Sequence, residues 1–416
     1  MEGRVNRRRV VITGIGIVSP LGHELSEFRR NLLSGLSAAA PITAFDPARL
    51  PTRIAAQVDA ASLPTQTKDR KIAFGLAAAR SAIGDANGGC DLPVAEYYAG
   101  VGGGLSLGIG LELFSMPDMV KFLEAEEIPP GVHPLTFLQT PSDICANLIC
   151  RQHDLRDPPL THVSACAAAT DAIGSAFRMV RDGRRSWMLA GGTDSMINPM
   201  GVGGFCAIEA TTRRNHEPRR ASRPFDRDRD GFLLGEGAGL LVLEPLDDAQ
   251  ARGARIYAEV CGYGNSFDAY AISEPHPEGE GALLAMRRAL DDAGLQPDDV
   301  SYINAHGTST PKNDVVETRA IRHLFGRHAD RVPVSSTKSM IGHLISAAGA
   351  VELAAAILCA ETGWVHPTIN LDRPDPACDL DYVSEGARRV RVETILKNSF
   401  AFGGQNASLV VRMAPC

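Results

Sequence analysis

No hydrophobic run in this chain of 416 residues approaches the length that would span a bilayer. Neither sign of charge dominates: 42 basic against 49 acidic residues leave a net charge of -7, which exerts no global pull on nucleic acid or anionic membrane. An acidic partner must therefore be met by a local basic patch. The nine cysteines, at positions 90, 145, 150, 166, 206, 261, 359, 378 and 416, form no CxxC pair and no Cys/His ligand cluster. An odd, scattered set of this kind predicts reduced thiols, no metal centre and a cytoplasmic protein. GxxxxGK, HExxH and a GxGxxG opening a helix are also missing, so neither a nucleotide nor a catalytic metal is implied. The opening MEGRVNRRRVVITGIGIVSPLG superficially resembles a secretory leader. Its apolar run is short, broken by Gly14 and Gly16, and has no cleavage-like ending before Pro20; it predicts a buried strand behind a basic tail.

What is present is globular. A composition of 44% hydrophobic and 22% charged residues, at this length, predicts two domains or one duplicated domain. Residues 9–13 (RVVIT) predict a central strand, 26–34 and 70–85 helices, and Tyr97–Val101 a short strand leading into GVGGGLSLGIG. From about 111 to 160 the chain is punctuated by proline, which suggests a cap rather than a sheet layer. Residues 186–191 and 238–243 predict strands buried on both faces. The second half repeats this logic: IYAEVCGYG resembles VVITGIG, and a helix at 281–294 precedes the strand SYINAH. Two segments begin with a reactive side chain and continue as almost wholly apolar helices, Cys166 with AAATDAIGSAFRMV and His343 with LISAAGAVELAAAILC. Such helices must be buried. One per half points to a duplication, with units at 1–254 and 255–416.

Cys166 lies in VSACAAAT between a strand (HVSA) and a helix start, where free backbone N–H groups and the helix dipole favour a thiolate. Alone it is more often a small buried cysteine, a reading that its place at a helix start weakens but does not defeat. His306, in NAHGTSTPKND, ends the strand SYINA, and His343 follows Lys338 by five residues at the second buried helix. One thiol, two imidazoles and one amine at the ends of buried elements are hard to assign to packing. A competing signal is Gly104-Leu105-Ser106-Leu107-Gly108, which matches the GxSxG elbow of serine hydrolases but lacks a helix directly after it.

The segments VSACAAAT, NAHGTSTPKND, SSTKSMIGHLISAAG and NSFAFGGQNAS resemble the signature segments of elongating β-ketoacyl-acyl carrier protein synthases. Supporting likeness runs through RRVVITGIGIVSPLG, ASRPFDRDRDGFLLGEGAGLLVLE and HPTINLDRPDPACDLDYV. The resemblance implies the thiolase fold: an α/β protein of two duplicated halves in αβαβα layers, with two mixed sheets around paired buried helices and an inserted cap. It implies Cys166 as nucleophile, His306 and His343 as catalytic imidazoles, Lys338 as organiser of the site and Glu317 as its acidic neighbour. It gives Phe402 an oxyanion-hole N–H and a ring that gates the acyl pocket, and gives Thr308 and Thr310 contact with phosphopantetheine. Cys-His-His separates this group from thiolases and from initiating synthases. No cofactor is implied beyond the phosphopantetheine that an acyl carrier protein brings. The second partner is a like subunit, in a homodimer or a heterodimer.

Three departures stand out. Relatives carry a Thr-Ser pair near the pantetheine arm where this chain has Ala271-Ile272-Ser273-Glu274-Pro275, which leaves Ser273 as the substrate-side hydroxyl. Glu209 replaces an arginine that docks the carrier, leaving Arg70, Lys71, Arg213 and Arg214 as candidates for the basic patch. Gln139, in the polar cap segment TFLQTPSDICANLIC, stands where relatives place a bulky apolar residue at the acyl pocket. These changes open a specialised pathway: the ketosynthase subunit of a dissociated polyketide or polyene system. A non-catalytic chain-length subunit would lack the nucleophile.

Overall fold

The structure is a computed structural model that describes residues 7–59, 63, 69–88, 93–99, 101–110, 124 and 143–414. Most of the expected cap, and Gln139 with it, lies outside the described residues.

The strands are β1 (Val10–Val18), β2 (Ala39–Pro41), β3 (Ile54–Ala56), β4 (Gly104–Ile109), β5 (Leu160–His162), β6 (Met188–Asp194) and β7 (Gly237–Pro245). They continue as β8 (Ala258–Phe267), β9 (Tyr302–Asn304), β10 (Val334–Ser335), β11 (Trp364–Val365), β12 (Arg388–Arg389), β13 (Thr394–Phe400) and β14 (Gln405–Met413). The helices that build the layers are α1 (Arg70–Asn87), α2 (Ala168–Arg181), α3 (Glu280–Ala293), α4 (Asn313–Phe325) and α5 (Ala348–Ala360). Strands β2 and β3, and β11 and β12, form two small sheets.

The other ten strands form one sheet in the order β10-β9-β13-β14-β8-β1-β7-β6-β4-β5. Read outward from its centre, β1-β7-β6-β4-β5 matches β8-β14-β13-β9-β10. In each run the first two pairings are antiparallel and the last two parallel. Each run is one of the two expected mixed sheets, and the two are continuous only where β1 meets β8 over three residue pairs, from Val10↔Val260 to Ile12↔Ala258.

Alternation along the strands sends side chains to two faces, and here both are dry. Ile15, Ile17 and Leu241 of the first half share one cluster with Val260, Leu409 and Ile395 of the second, and with Ile173, Phe177 and Leu353 of α2 and α5. The opposite face of the first half, with Val18, Leu240 and Val242, is covered by Phe74, Ala78 and Ala82 of α1. In the second half, Leu396 and Val410 pack under Met286 and Ala289 of α3. The result is helix, sheet, helix, sheet, helix. The two middle helices approach closely because residue 349 is glycine: a Cβ there would lie 2.2 Å from the Thr170 hydroxyl.

Two local expectations change. Every residue of α5 is buried, as its sequence predicts, whereas α2 exposes Arg178 and buries mainly one face. Tyr97 ends a short helix (Val94–Tyr97), and the strand falls on the glycine-rich run itself. Ser106 thus sits inside buried β4, its hydroxyl donating 2.8 Å to the Ala172 carbonyl, which removes the serine-hydrolase elbow.

Candidate active site

Cys166 lies in a 3-10 turn (Ala165–Ala167) between β5 and α2, and Ala165 before it holds a left-handed φ of 46°. A non-glycine residue in that region is strained, and it tips the following side chain out of the strand direction. The second half builds the same turn at Ile345–Ala347, with Ile345 at φ 44°. The counterpart of Cys166 is therefore Ser346. His343 does not open α5; it stands three residues before that counterpart, its backbone bonded to Leu233 and Gly235. His306 follows β9, where the Glu317 carboxylate of α4 accepts the N–H groups of His306 and Gly307 at 2.8 and 2.7 Å.

These elements converge on one point. His343 Nε2 lies 3.0 Å from Cys166 Sγ, and the two imidazole rings meet edge to face with centroids 5.4 Å apart. A ligating atom from each of Cys166, His306 and His343 lies within 4.8 Å of the other two. The hydrogen bonds fix both tautomers. Ile345 N–H donates to His343 Nδ1 at 3.1 Å, so the ring proton is on Nε2, facing the sulfur. Lys338 Nζ lies 3.3 Å from His306 Nδ1 and 2.7 Å from the His306 carbonyl, so this ring also carries its proton on Nε2. Both histidines are thus presented as N–H donors.

The acidic neighbour of Lys338 is Glu352, a correction to the expectation for Glu317. Glu352 projects from α5 and forms ion pairs with Lys338 at 2.5 Å and with Lys397 of β13 at 2.8 Å, all three being buried. Both ammonium groups lie close to the imidazoles, with Glu352 between them and Glu317 behind His306. Burial, with Lys338 and Lys397 close by, holds His306 and His343 well below the ordinary histidine range. Burial also pushes the Cys166 thiol up to about 11, against Lys338 and the backbone N–H groups of Phe402 and Cys166, which pull it down. The helix start alone predicts a lowered value; in the resting site the loss of water outweighs it. Those two N–H groups both face the sulfur.

The lowered histidines carry a stability signature. Unfolded, each takes a proton near pH 6.5; folded, each resists it, so the stability present above that pH is lost as pH falls. Each group is expected to contribute a slope of up to about 1.4 kcal/mol per pH unit below pH 6.5. Urea unfolding at pH 7.5 and 5.5 should therefore show a smaller loss in His343→Gln than in wild type. Equal losses would mean that His343 titrates normally in the folded chain.

The cleft above Cys166 holds about 330 Å³ and is lined by both histidines, Phe402, Ser273, Thr308, Thr310 and Glu209, among others. The Thr308 and Thr310 hydroxyls lie 2.8 Å apart on one wall. The expected docking residues divide. Glu209 and Arg213 are exposed at the rim and pair with each other at 3.2 Å. Arg214 is turned inward onto the Asp228 carbonyl at 2.7 Å. Arg70 is clamped to buried Glu236 at 2.5 Å, and Lys71 is 1% exposed and paired with Asp69. Burial takes Lys71 out of any surface patch, whereas Arg70 stays partly exposed despite its ion pair.

Sequence reasoning missed Glu352 and Lys397. The signal was available for the first: a lone carboxylate in a helix apolar all round has to be paired inside the protein. Lys397, inside TILKNSF, offers the same argument for a strand buried on both faces.

Profiles of known families and proteins match this arrangement. One described as the N-terminal domain of beta-ketoacyl synthase matches residues 7–249, and one described as its C-terminal domain matches residues 257–372. The chain is similar to 3-oxoacyl-(acyl-carrier-protein) synthase 2 of Coxiella burnetii (strain RSA 493 / Nine Mile phase I), at 43% identity over 98% of this chain and 99% of that protein. A solved type II polyketide acyl-carrier protein complex with its ketosynthase bound to the hexaketide superposes with a TM-score of 0.86 at 32% identity. The ishigamide ketosynthase/chain length factor does so at 0.86 and 34%; each comparison covers 98% of this chain and 100% of the other. Among the described residues no helix is long and apolar enough to cross a membrane.

Proposed function

This chain belongs to the β-ketoacyl synthase family, and we propose that its cleft joins an acyl group held on Cys166 to malonyl-carrier, with loss of CO2, giving β-ketoacyl-carrier. The observation that carries the reading is the convergence on Cys166 Sγ of His343 Nε2–H and the N–H groups of Phe402 and Cys166, with a second N–H donor, His306, alongside.

The steps follow from these atoms. The Cys166 sulfur attacks the acyl-carrier thioester; the C–S bond to the carrier breaks, and the thiol proton leaves with the carrier thiol. His343 is not set to take that proton, since its Nε2 already carries one and its Nδ1 accepts from Ile345. Malonyl-carrier then enters. As the C–C bond to CO2 breaks, the electron pair moves into the thioester carbonyl, where the two Nε2–H groups stabilise the enolate oxygen. The carbanion attacks the acyl-Cys166 carbonyl, whose oxyanion faces the N–H groups of Cys166 and Phe402. The C–S bond breaks, and the Cys166 thiolate so released takes a proton from water. Loss of CO2 drives bond formation, so no cofactor is required beyond the carrier's own arm. Trapping acyl-Cys166 by intact mass after incubation with acyl-carrier tests this directly; absence of the adduct would reject it.

A carrier protein is the partner this chemistry demands, with a homodimer or a heterodimer of like subunits as the assembly and the cytoplasm as its compartment. The rim favours a specialised pathway over general fatty-acid synthesis. Glu209, at the mouth, opposes an acidic carrier and holds Arg213 as its counter-ion. Glu209→Arg should weaken the native carrier and strengthen binding of a generic acidic one, each by about threefold to tenfold in KM, with the effect shrinking at high salt. If neither KM moves, Glu209 has no place on the docking surface.

A further inference from the structure

The mouth of the cleft is anionic. Its described lining includes three carboxylates, Glu209, Glu274 and Asp268, and Lys312 is the sole lysine or arginine among the described residues that line it. Glu209 is occupied by Arg213, and Asp268 accepts the His276 N–H and the Asn406 amide. Lys312 pairs with Glu274 across the entrance, their side chains 60% and 43% exposed. An ion pair so open to water is weakly held and is readily exchanged for another anion. Lys312 follows Thr310 by two residues, and Glu274 follows Ser273, so the pair sits where an arm passing the threonines must enter. The Glu274 loop is also tied to the oxyanion turn: the Gly403 N–H, next to Phe402, donates to the Ile272 carbonyl at 2.6 Å.

We propose that Lys312 is a specificity-determining phosphate ligand: it gives up Glu274 for the phosphate of the incoming pantetheine arm, so that the pair is a latch opened by that phosphate. The proposal rests on the reading of the cleft as a carrier-substrate site. Without Lys312 no lysine or arginine would remain among the described residues that line this mouth. With it, the ammonium gains a partner of higher charge density, and Glu274 is released to water.

The test is decarboxylation of malonyl-4′-phosphopantetheine against malonyl-pantetheine, which differ only in the phosphate. Wild type should show a KM lower by about tenfold for the phosphorylated thioester, the scale of one charge-assisted hydrogen bond. Lys312→Ala should erase that preference by raising the KM for the phosphorylated thioester alone, moving the other by less than about twofold. Lys312→Arg should retain the preference, and Glu274→Ala should enlarge it because the competing carboxylate is gone. A wild type that turns over both thioesters with one KM overturns the latch alone. So does a Lys312→Ala that shifts both equally. A wild type that decarboxylates neither removes the carrier-substrate reading and the latch with it.

Discussion

Replacing Cys166 with alanine should abolish acyl loading and condensation while leaving measurable decarboxylation of malonyl-carrier. The two halves of the reaction use different atoms. Loading needs the sulfur, which forms the covalent bond, and the N–H groups of Phe402 and Cys166 that surround it. Decarboxylation needs the two Nε2–H donors, whose orientation does not depend on the sulfur. His343 is held through Nδ1 by the Ile345 N–H, and His306 through Nδ1 by Lys338. Alanine also removes an atom 3.0 Å from His343 without disturbing either anchor. Loss of acyl adduct by intact mass, with CO2 release retained from malonyl-carrier, is the expected pair of results. Condensation near the wild-type rate in this variant would end the covalent mechanism.

How much of this was legible in the sequence depends on whether the signal was local. The strands β6 and β7 could be read because continuous apolar runs have few other uses. By contrast, β1 does not end at Gly14 but runs through Gly14 and Gly16, which let α1 approach, to Val18. Cys166 and His306 could be picked out because each stands beside the end of a buried element, and His343 and Lys338 because they precede a wholly apolar helix. The errors arose where the outcome is decided by distant parts of the chain. Lys338 was given Glu317 as its acidic neighbour, yet Glu317 is consumed by the backbone of His306 and Gly307, and Lys338 meets Glu352 from the other wall of the site. Lys71 was a candidate for the carrier-docking patch, yet it is buried against Asp69, while Arg70 beside it stays partly exposed on Glu236. The equivalence of Cys166 and His343 as helix openers dissolved in the same way. Only the paired left-handed residues Ala165 and Ile345 reveal that Ser346 is the true counterpart.

Truncating either histidine should separate decarboxylation from loading. His306→Ala and His343→Ala are each expected to lower decarboxylation by about 100- to 1,000-fold, the scale for removing one preorganised donor from a developing oxyanion. Loading should fall less in both, because its oxyanion is met by backbone N–H groups that neither substitution touches. The two variants should not be identical. His343 Nε2 lies 3.0 Å from the sulfur and supports its negative charge, so His343→Ala should slow loading more than His306→Ala. Lys338→Ala should resemble His306→Ala rather than His343→Ala, since Lys338 is what faces His306 Nδ1 and keeps the proton on Nε2. It also leaves Glu352 with Lys397 as its ion-pair partner, so the fold is checked by circular dichroism in the same series. Rates of acyl-Cys166 formation and of CO2 release, measured on the same preparations, decide the matter. Equal losses of loading and decarboxylation in both histidine variants would show that the imidazoles act on the thiol, and the assignment of two N–H donors to the enolate would fall.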